Sequence, residues 1–145
     1  MANEIRVQVT SSADIVIARQ GGRTLSSQLG FSGTDLTLIA TAISEVARNI
    51  IEYAGKGEII LRPIEGNPTR GILIVASDEG PGIPDVARAL QDGYSSGKGL
   101  GLGLPGAKRL MDEFEIVSEV GNGTTVTMKK WLPESEMRKQ AQKAV

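Results

Sequence analysis

The sequence predicts an α+β fold in which one mixed sheet is covered on one face by helices. Three observations predict it. Two long stretches with apolar residues at helical spacing occur one after the other, a nearly continuous apolar segment follows them, and two strand-like segments joined by Gly-Asn-Gly come last. The length of 145 residues suits one domain. We therefore expect two layers, a sheet and a helical cover, around one core.

The chain begins with a strand and a helix. Residues 5–9 alternate apolar and polar side chains, which predicts a half-buried strand. A helix is predicted over 13–29, with Ser11 or Ser12 as its cap. Gly21-Gly22 lies inside this helix and lowers its stability by roughly 1 kcal/mol per glycine. Either a close contact with neighbouring backbone or a kink in the helix explains the pair.

A second helix and two strands follow. The helix begins at Ser32 or Thr34 and continues through Tyr53, because its apolar residues recur at helical spacing and form a wide face. Residues 58–64 are predicted as a strand. Residues 72–77 are nearly all apolar, which is typical of a central strand buried on both faces.

The last third of the chain is rich in glycine and then in strand-forming residues. The segment 80–106 holds eight of the 18 glycines, which indicates unusual backbone conformations. A short helix is predicted after Pro84 and another over 103–111. Residues 114–120 and 124–131 are predicted to form a hairpin.

The composition excludes several kinds of chemistry. The chain contains no Cys and no His, so it has no Ser-His-Asp triad, no Cys-based zinc site and no phosphohistidine. A formal net charge of −1 and only five aromatic residues argue against a nucleic-acid-binding surface. Neither a signal peptide nor an apolar run of membrane-spanning length is present. We expect a cytoplasmic protein that binds no nucleic acid and no membrane, with Asp, Glu, Lys or Tyr as any general base.

Glu45 and Asn49 form the first candidate motif. They stand four residues apart on the second helix, with Arg48 between them, so they project from one side. A carboxylate base beside an amide that ligates a hard cation would need this arrangement, since Mg²⁺ prefers oxygen ligands. The alternative is a solvated helix face that carries a Glu and an Arg.

Asp78 begins the second candidate motif, directly after the apolar strand. An Asp at the end of a central strand can accept a hydrogen bond from a ligand, and Gly80 and Gly82 let the backbone approach that ligand. The alternative is a tight turn with prolines.

The third motif is the glycine-rich segment 97–103, which opens a predicted helix. Backbone amides in such a loop can bind phosphates. The segment is not a Walker A loop, because no Gly-Lys-Ser/Thr follows at the required spacing, and it is not a Rossmann fingerprint, because the second half of the chain does not continue as βαβ units. A flexible surface loop is the alternative.

The three motifs together resemble a known family. Their order and spacing are similar to the N box (45–49), G1 box (78–82) and G2 box (99–103) of the GHKL or Bergerat-fold ATP-binding domains, found in gyrase, the Hsp90 chaperone, histidine kinases and MutL. Gly123-Thr124 resembles the last motif of that family. The resemblance covers residues 4–132 and implies a histidine-kinase-like ATPase domain with a mainly antiparallel sheet.

The resemblance implies a role for each motif. Asp78 would contact the adenine amino group with Thr124 nearby, Asn49 would ligate Mg²⁺ bridging the phosphates, and Glu45 would be the general base for a Ser or Thr hydroxyl. The third motif would line a phosphate cradle in a mobile lid over 93–103, where Lys98 is either a phosphate-neutralising cation or a solvated lid residue. The implied ATP-binding residues are Asn49, Asp78, Gly80, Gly82, Ile83, Lys98, Gly99, Leu100, Gly101, Leu102, Gly103 and Thr124.

Within the family, the free-standing members of about this length are the anti-sigma-factor type serine/threonine kinases, and this chain resembles them. The segments 78–85 and 99–114 are most similar to the switch-protein kinases of the stressosome. This implies phosphorylation of STAS-domain scaffold and antagonist proteins, followed by release and activation of a downstream phosphatase.

Two alternatives remain open at this point. One is an anti-sigma factor kinase that binds a sigma factor directly and is controlled by a STAS-domain antagonist. The other is a non-catalytic ATP-sensing adaptor. We expect residues 1–132 to form the ATP-binding kinase domain and residues 133–145 to form a polar tail.

Overall fold

The computed structural model describes residues 4–66, 68–91 and 103–133. Nine elements occur in these ranges: β1 (Ile5–Val9), α1 (Ser12–Leu29), α2 (Thr34–Ala54), β2 (Gly57–Glu65), β3 (Arg70–Asp78), α3 (Val86–Ala89), α4 (Gly103–Leu110), β4 (Glu113–Glu119) and β5 (Gly123–Trp131). Each corresponds to a predicted element, with ends that differ by at most two residues.

The five strands form one sheet in the order β1-β2-β3-β5-β4. All four pairings are antiparallel, so among the described residues the sheet is antiparallel and not mixed as predicted. β3 lies at the centre, as its apolar sequence predicts. The helices pack on one face of this sheet, which confirms the predicted α+β fold.

The core lies between the helices and the inner face of the sheet. Along each central strand every second residue points into it, because successive side chains of a strand alternate between its faces. The largest fully buried apolar side chains are Val9, Ile39, Ile43, Val46, Ile50, Ile59, Leu61, Ile72, Ile74, Met128 and Leu132. No helix in the described part of the chain is long and apolar enough to cross a membrane.

The glycine pair in α1 has a packing explanation. α1 is continuous from Ser12 to Leu29, so the pair does not break the helix. A Cβ on Gly22 would overlap the side chain of Ile43 in α2, whereas a Cβ on Gly21 would meet Ile5 at 3.6 Å, an ordinary contact. Gly22 therefore allows α1 and α2 to approach closely.

Two basic side chains join the sheet to helix ends. Arg70 Nε donates to the carbonyl of Leu29 at 3.1 Å, and Lys130 Nζ donates to the carbonyl of Leu110 at 3.1 Å. The last carbonyls of a helix lack partners within the helix and carry negative partial charge. These two cations therefore fix the ends of α1 and α4 against the sheet.

Candidate functional site

Glu45 is a buried carboxylate on α2. The residue is 6% exposed, and its Oε1 accepts two hydrogen bonds: one from the backbone amide of Gly103 at 3.0 Å and one from Arg48 Nη1 at 3.0 Å. A buried carboxylate is very costly unless it is paired and hydrogen-bonded, and these donors meet that need. The solvated helix face is therefore the wrong interpretation of Glu45, although the side chain of Arg48 is 38% exposed.

Asn49 lies one turn further along α2 and is half-buried. Its amide oxygen is a ligand type that Mg²⁺ accepts. Within the described ranges no cluster of three or more carboxylate, His or Cys groups could hold a metal. A role for Asn49 as a magnesium ligand stays a prediction.

Asp78 and Thr124 stand opposite each other where β3 pairs with β5. Asp78 Oδ1 accepts the backbone amide of Gly80 at 2.9 Å, which folds the chain back directly after the strand. Among the described residues no hydrogen bond to Oδ2 is recorded, so this oxygen can accept one from a ligand. Thr124 is 5% exposed and lies at the same end of the sheet.

A chain of hydrogen bonds joins Thr124 to the turn after Asp78. The hydroxyls of Thr124 and Ser118 lie 2.8 Å apart, and Ser118 Oγ accepts the backbone amide of Ile83 at 2.7 Å. Ser118 was not among the predicted site residues. The signal that could have found it is the hairpin register, which pairs Ser118 with Thr124.

The glycines around Asp78 have structural reasons to be glycine. A Cβ on Gly80 would approach Ala54 Cβ to 2.5 Å, and one on Gly82 would overlap the carbonyl of Glu119. Gly82 also has a φ of +80°, a conformation that side chains disfavour. Both glycines are needed for packing within the protein, and contact between them or Ile83 and a ligand stays a prediction.

Gly103 begins α4 with a φ of +68°, and its amide is bound by Glu45. Gly103 is the residue of the predicted phosphate cradle that the structure describes. Lys98, Gly99, Leu100, Gly101 and Leu102 lie outside the described residues, as does the rest of the predicted lid over 93–102.

Two of the predicted site residues, Glu45 and Asn49, lie on α2, whereas Asp78 and Thr124 lie on β3 and β5. The turn after Asp78 packs against Ala54 at the end of α2, through Gly80. Glu45 lies nine residues earlier on the same helix, which corresponds to about 13 Å at 1.5 Å per residue. Asn49 lies between them.

A cavity of about 580 Å³ also opens beside Asp78, but on the other face of the sheet. Gln8, Glu58, Ser77 and Thr125 line it and form one register row across four strands. Their chain neighbours point into the core, so this row faces away from the helices. Asp78 lines this cavity, whereas Glu45, Asn49 and Thr124 do not, so the cavity adjoins the candidate site at Asp78.

A family model for the histidine kinase-like ATPase domain matches residues 10–130. This chain belongs to that family. The match spans all three motifs and both helices that cover the sheet, so the family predicted from the spacing of the motifs is confirmed.

Two curated proteins show which members of the family this chain is similar to. The chain is 48% identical over 132 residues to the serine/threonine-protein kinase RsbT of Bacillus subtilis, covering 91% of this chain and 99% of that one. It is 32% identical over 143 residues to the anti-sigma F factor of Halalkalibacterium halodurans, covering 94% of this chain and 97% of that one.

A solved structure supports the fold. The crystal structure of the RsbU and RsbW domains of Rv1364c from Mycobacterium tuberculosis matches with a TM-score of 0.58 at 21% identity, covering 92% of this chain and 33% of that one. The chain thus corresponds to about a third of that longer protein. At this identity the likeness is one of fold.

Proposed function

We propose that this chain uses Mg-ATP to phosphorylate a Ser or Thr of STAS-domain scaffold and antagonist proteins, and that it is then released to activate a partner phosphatase. The observation that carries the proposal is the buried carboxylate of Glu45. It accepts a hydrogen bond from Gly103, the first residue of α4, and lies one helical turn before Asn49 on α2. A buried carboxylate is costly unless it is paired and hydrogen-bonded, so its burial here favours a chemical role over that of a surface charge.

The chain is an ATP-dependent serine/threonine kinase. Its family and its 48% identity to a serine/threonine-protein kinase over nearly the whole of both chains carry this statement, and the predicted enzyme class is confirmed. The same coverage supports a kinase domain over residues 1–132, with residues 133–145 as a separate tail.

The geometry supports the binding of ATP along α2. Asp78 Oδ2 would accept a hydrogen bond from the adenine amino group, and Thr124 would lie nearby, fixed by Ser118. Asn49 would ligate Mg²⁺, which when bound neutralises phosphate charge. Phosphoryl transfer depends mainly on positioning and charge neutralisation, and in this proposal Asp78 on β3 and Asn49 on α2 supply the positioning.

Glu45 would then act on the protein substrate. The hydroxyl oxygen of the substrate Ser or Thr forms a bond to the γ-phosphorus, the bond to ADP breaks, and the hydroxyl proton passes to the Glu45 carboxylate. Gly103 holds this carboxylate at the start of α4, next to the proposed lid. In this proposal Glu45 faces the point where the γ-phosphate and an incoming hydroxyl would meet.

The proposed circuit makes the chain both an enzyme and a switch. Unmodified STAS-domain proteins would hold it, and their phosphorylation would release it to a phosphatase in the cytoplasm. A direct sigma-factor partner is the second candidate, because several relatives are named anti-sigma F factors. Their identities of about 30% lie well below the 48% of the kinase relative, which favours the first proposal.

The variant Glu45→Gln tests the proposal. Its amide oxygen can still accept the Gly103 amide, so the fold and the affinity for ATP should persist. Loss of a positioned base typically lowers the rate by about 10²–10⁴-fold. We expect this loss in phosphate transfer from radiolabelled ATP to a STAS-domain protein that the unaltered chain phosphorylates. Glu52→Gln, an exposed change on the same helix, is the control. Transfer by Glu45→Gln within a few-fold of the unaltered chain would remove Glu45 from the mechanism.

A further inference from the structure

Arg48 and the first residue of α4, Gly103, donate to the same oxygen of Glu45. Arg48 Nη1 donates to Glu45 Oε1 at 3.0 Å, and the amide of Gly103 donates to that oxygen at the same distance from α4. Across the ranges that the structure describes, Glu45 Oε2 accepts no recorded hydrogen bond. Two donors from two elements thus fix one oxygen and leave the other available.

We propose that Arg48 is a positioning residue that holds Glu45 for catalysis. With Gly103 it fixes Oε1 and leaves Oε2 as the oxygen that takes the hydroxyl proton. This inference rests on the proposed role of Glu45 as the general base. It assigns Arg48 a function through Glu45 and no contact with the reacting atoms.

A single hydrogen bond does not fix the orientation of the Glu45 carboxylate. A Glu side chain has three rotatable bonds, and with the Gly103 amide as the only donor the carboxylate could still turn about the hydrogen bond at Oε1. A second donor, from another direction, removes that freedom. Misplacement of a reacting group by about 1 Å can lower a rate by about a hundredfold. Arg48 therefore affects the rate through the orientation of Glu45.

The ion pair is unlike an ordinary pair on a helix surface. The side chain of Glu45 is 7% exposed and that of Arg48 is 38% exposed. An exposed pair at this spacing contributes little, because water and salt screen it. Here the acceptor is shielded from water, and Arg48 supplies the cation that compensates a buried anion. Because the guanidinium of Arg48 already binds Glu45, a positioning role explains Arg48 better than direct contact with a phosphate does.

The test uses Arg48→Met and Arg48→Lys, each in the unaltered chain and in the Glu45→Gln variant. Two quantities are measured: the single-turnover rate of phosphate transfer, at saturating ATP, to a STAS-domain protein that the unaltered chain phosphorylates, and ATP affinity by calorimetry. We expect Arg48→Met to lower the rate by about 10- to 100-fold and to change ATP affinity by less than about twofold. Arg48→Lys keeps the cation and should recover most of the rate.

The double variants decide whether Arg48 acts through Glu45. Residues that act as a unit are strongly non-additive, so Arg48→Met should lower the rate of the Glu45→Gln variant by less than about twofold. Arg62→Met, on the outer face of β2, is the matched control. Circular dichroism checks that each variant folds, and if Arg48→Met does not, Arg48→Gln replaces it.

Three results would overturn the inference. An equal loss in both backgrounds would show that Arg48 acts independently of Glu45. A parallel loss of ATP affinity would show direct contact with the nucleotide, and an unchanged rate would show a structural ion pair. In each of these cases the Glu45→Gln single variant remains impaired, so the proposed function survives. A Glu45→Gln variant with the unaltered rate would instead overturn both proposals.

Discussion

Asp78 divides its two carboxylate oxygens between the fold and the proposed ligand. Oδ1 binds the amide of Gly80, and Oδ2 remains for adenine. Asp78→Asn keeps an oxygen for Gly80 but loses the anionic acceptor. A hydrogen bond to a charged group contributes about 1.5–3 kcal/mol, so ATP affinity measured by calorimetry should fall more than about tenfold. Glu79→Gln is the control, and an unchanged affinity in folded Asp78→Asn would remove the adenine assignment.

Asp14 gives a pH dependence to the start of α1. The backbone amide and the hydroxyl of Thr10 donate to its carboxylate, as does the amide of Ser11, and these bonds hold the pKa of Asp14 below its ordinary value of 3.8. A lowered pKa in the folded state stabilises the protein above the unfolded value, and this contribution is lost as the pH falls through the folded value.

Comparison with Asp14→Asn measures this contribution. The difference in unfolding free energy between the unaltered chain and the variant, from urea unfolding, should be constant above about pH 5 and should shrink below about pH 4. A difference that stays constant down to pH 2 would contradict the assignment.

At the scale of elements, Gly22 sets the contact between α1 and α2. Gly22→Ala places a methyl group against Ile43, and overpacking of a core costs about 1–3 kcal/mol. Gly21→Ala is the matched control: its methyl group has room, and the better helix propensity of Ala should raise stability by up to about 1 kcal/mol. Thermal and urea unfolding should give shifts of opposite sign. Equal shifts would mean that the pair serves a purpose other than close packing.

The elements were predictable because their signals are local. The cap at Ser11, the glycine after Leu29 and the Gly-Asn-Gly turn all act within a few residues. The order of the strands was not predictable in this way, since β3 pairs with β5 across a segment of more than 40 residues.

In the candidate site, too, the features with local signals were predictable and those that depend on distant contacts were not. Glu45 and Asn49 were brought together by helical spacing alone. The buried carboxylate of Glu45 binds the amide of Gly103, which lies 58 residues away in the chain. No local sequence pattern predicts this contact. Ser118 was missed because it continues the half-buried row of Phe114 and Ile116 on β4, and its contacts with Ile83 and Thr124 depend on other segments of the chain. The interpretation of Gly80 and Gly82 as ligand contacts overlooked their packing against Ala54 and Glu119.

At the scale of the whole molecule, the proposed site connects the layers of the fold. α2 supplies Glu45 and Asn49, the centre of the sheet supplies Asp78 and Thr124, and α4 supplies Gly103. A ligand that contacts all of them should stabilise the folded state as a unit, because it binds that state and not the unfolded chain.

Thermal unfolding with and without Mg²⁺ therefore tests the cofactor. At a hundredfold excess over its dissociation constant, Mg-ATP should stabilise the fold by about 2.7 kcal/mol, which corresponds to about 5–10 °C for a domain of this size. Removal of Mg²⁺ with EDTA should lower this gain, since Asn49 and the phosphates then lose their shared cation. In Asn49→Ala the gain should be the same with Mg²⁺ and with EDTA, whereas Gln20→Ala, an exposed amide on α1, should behave as the unaltered chain. If Asn49→Ala kept the full difference between Mg²⁺ and EDTA, the cation would have to be held by other groups, and Asn49 would revert to a structural residue of α2.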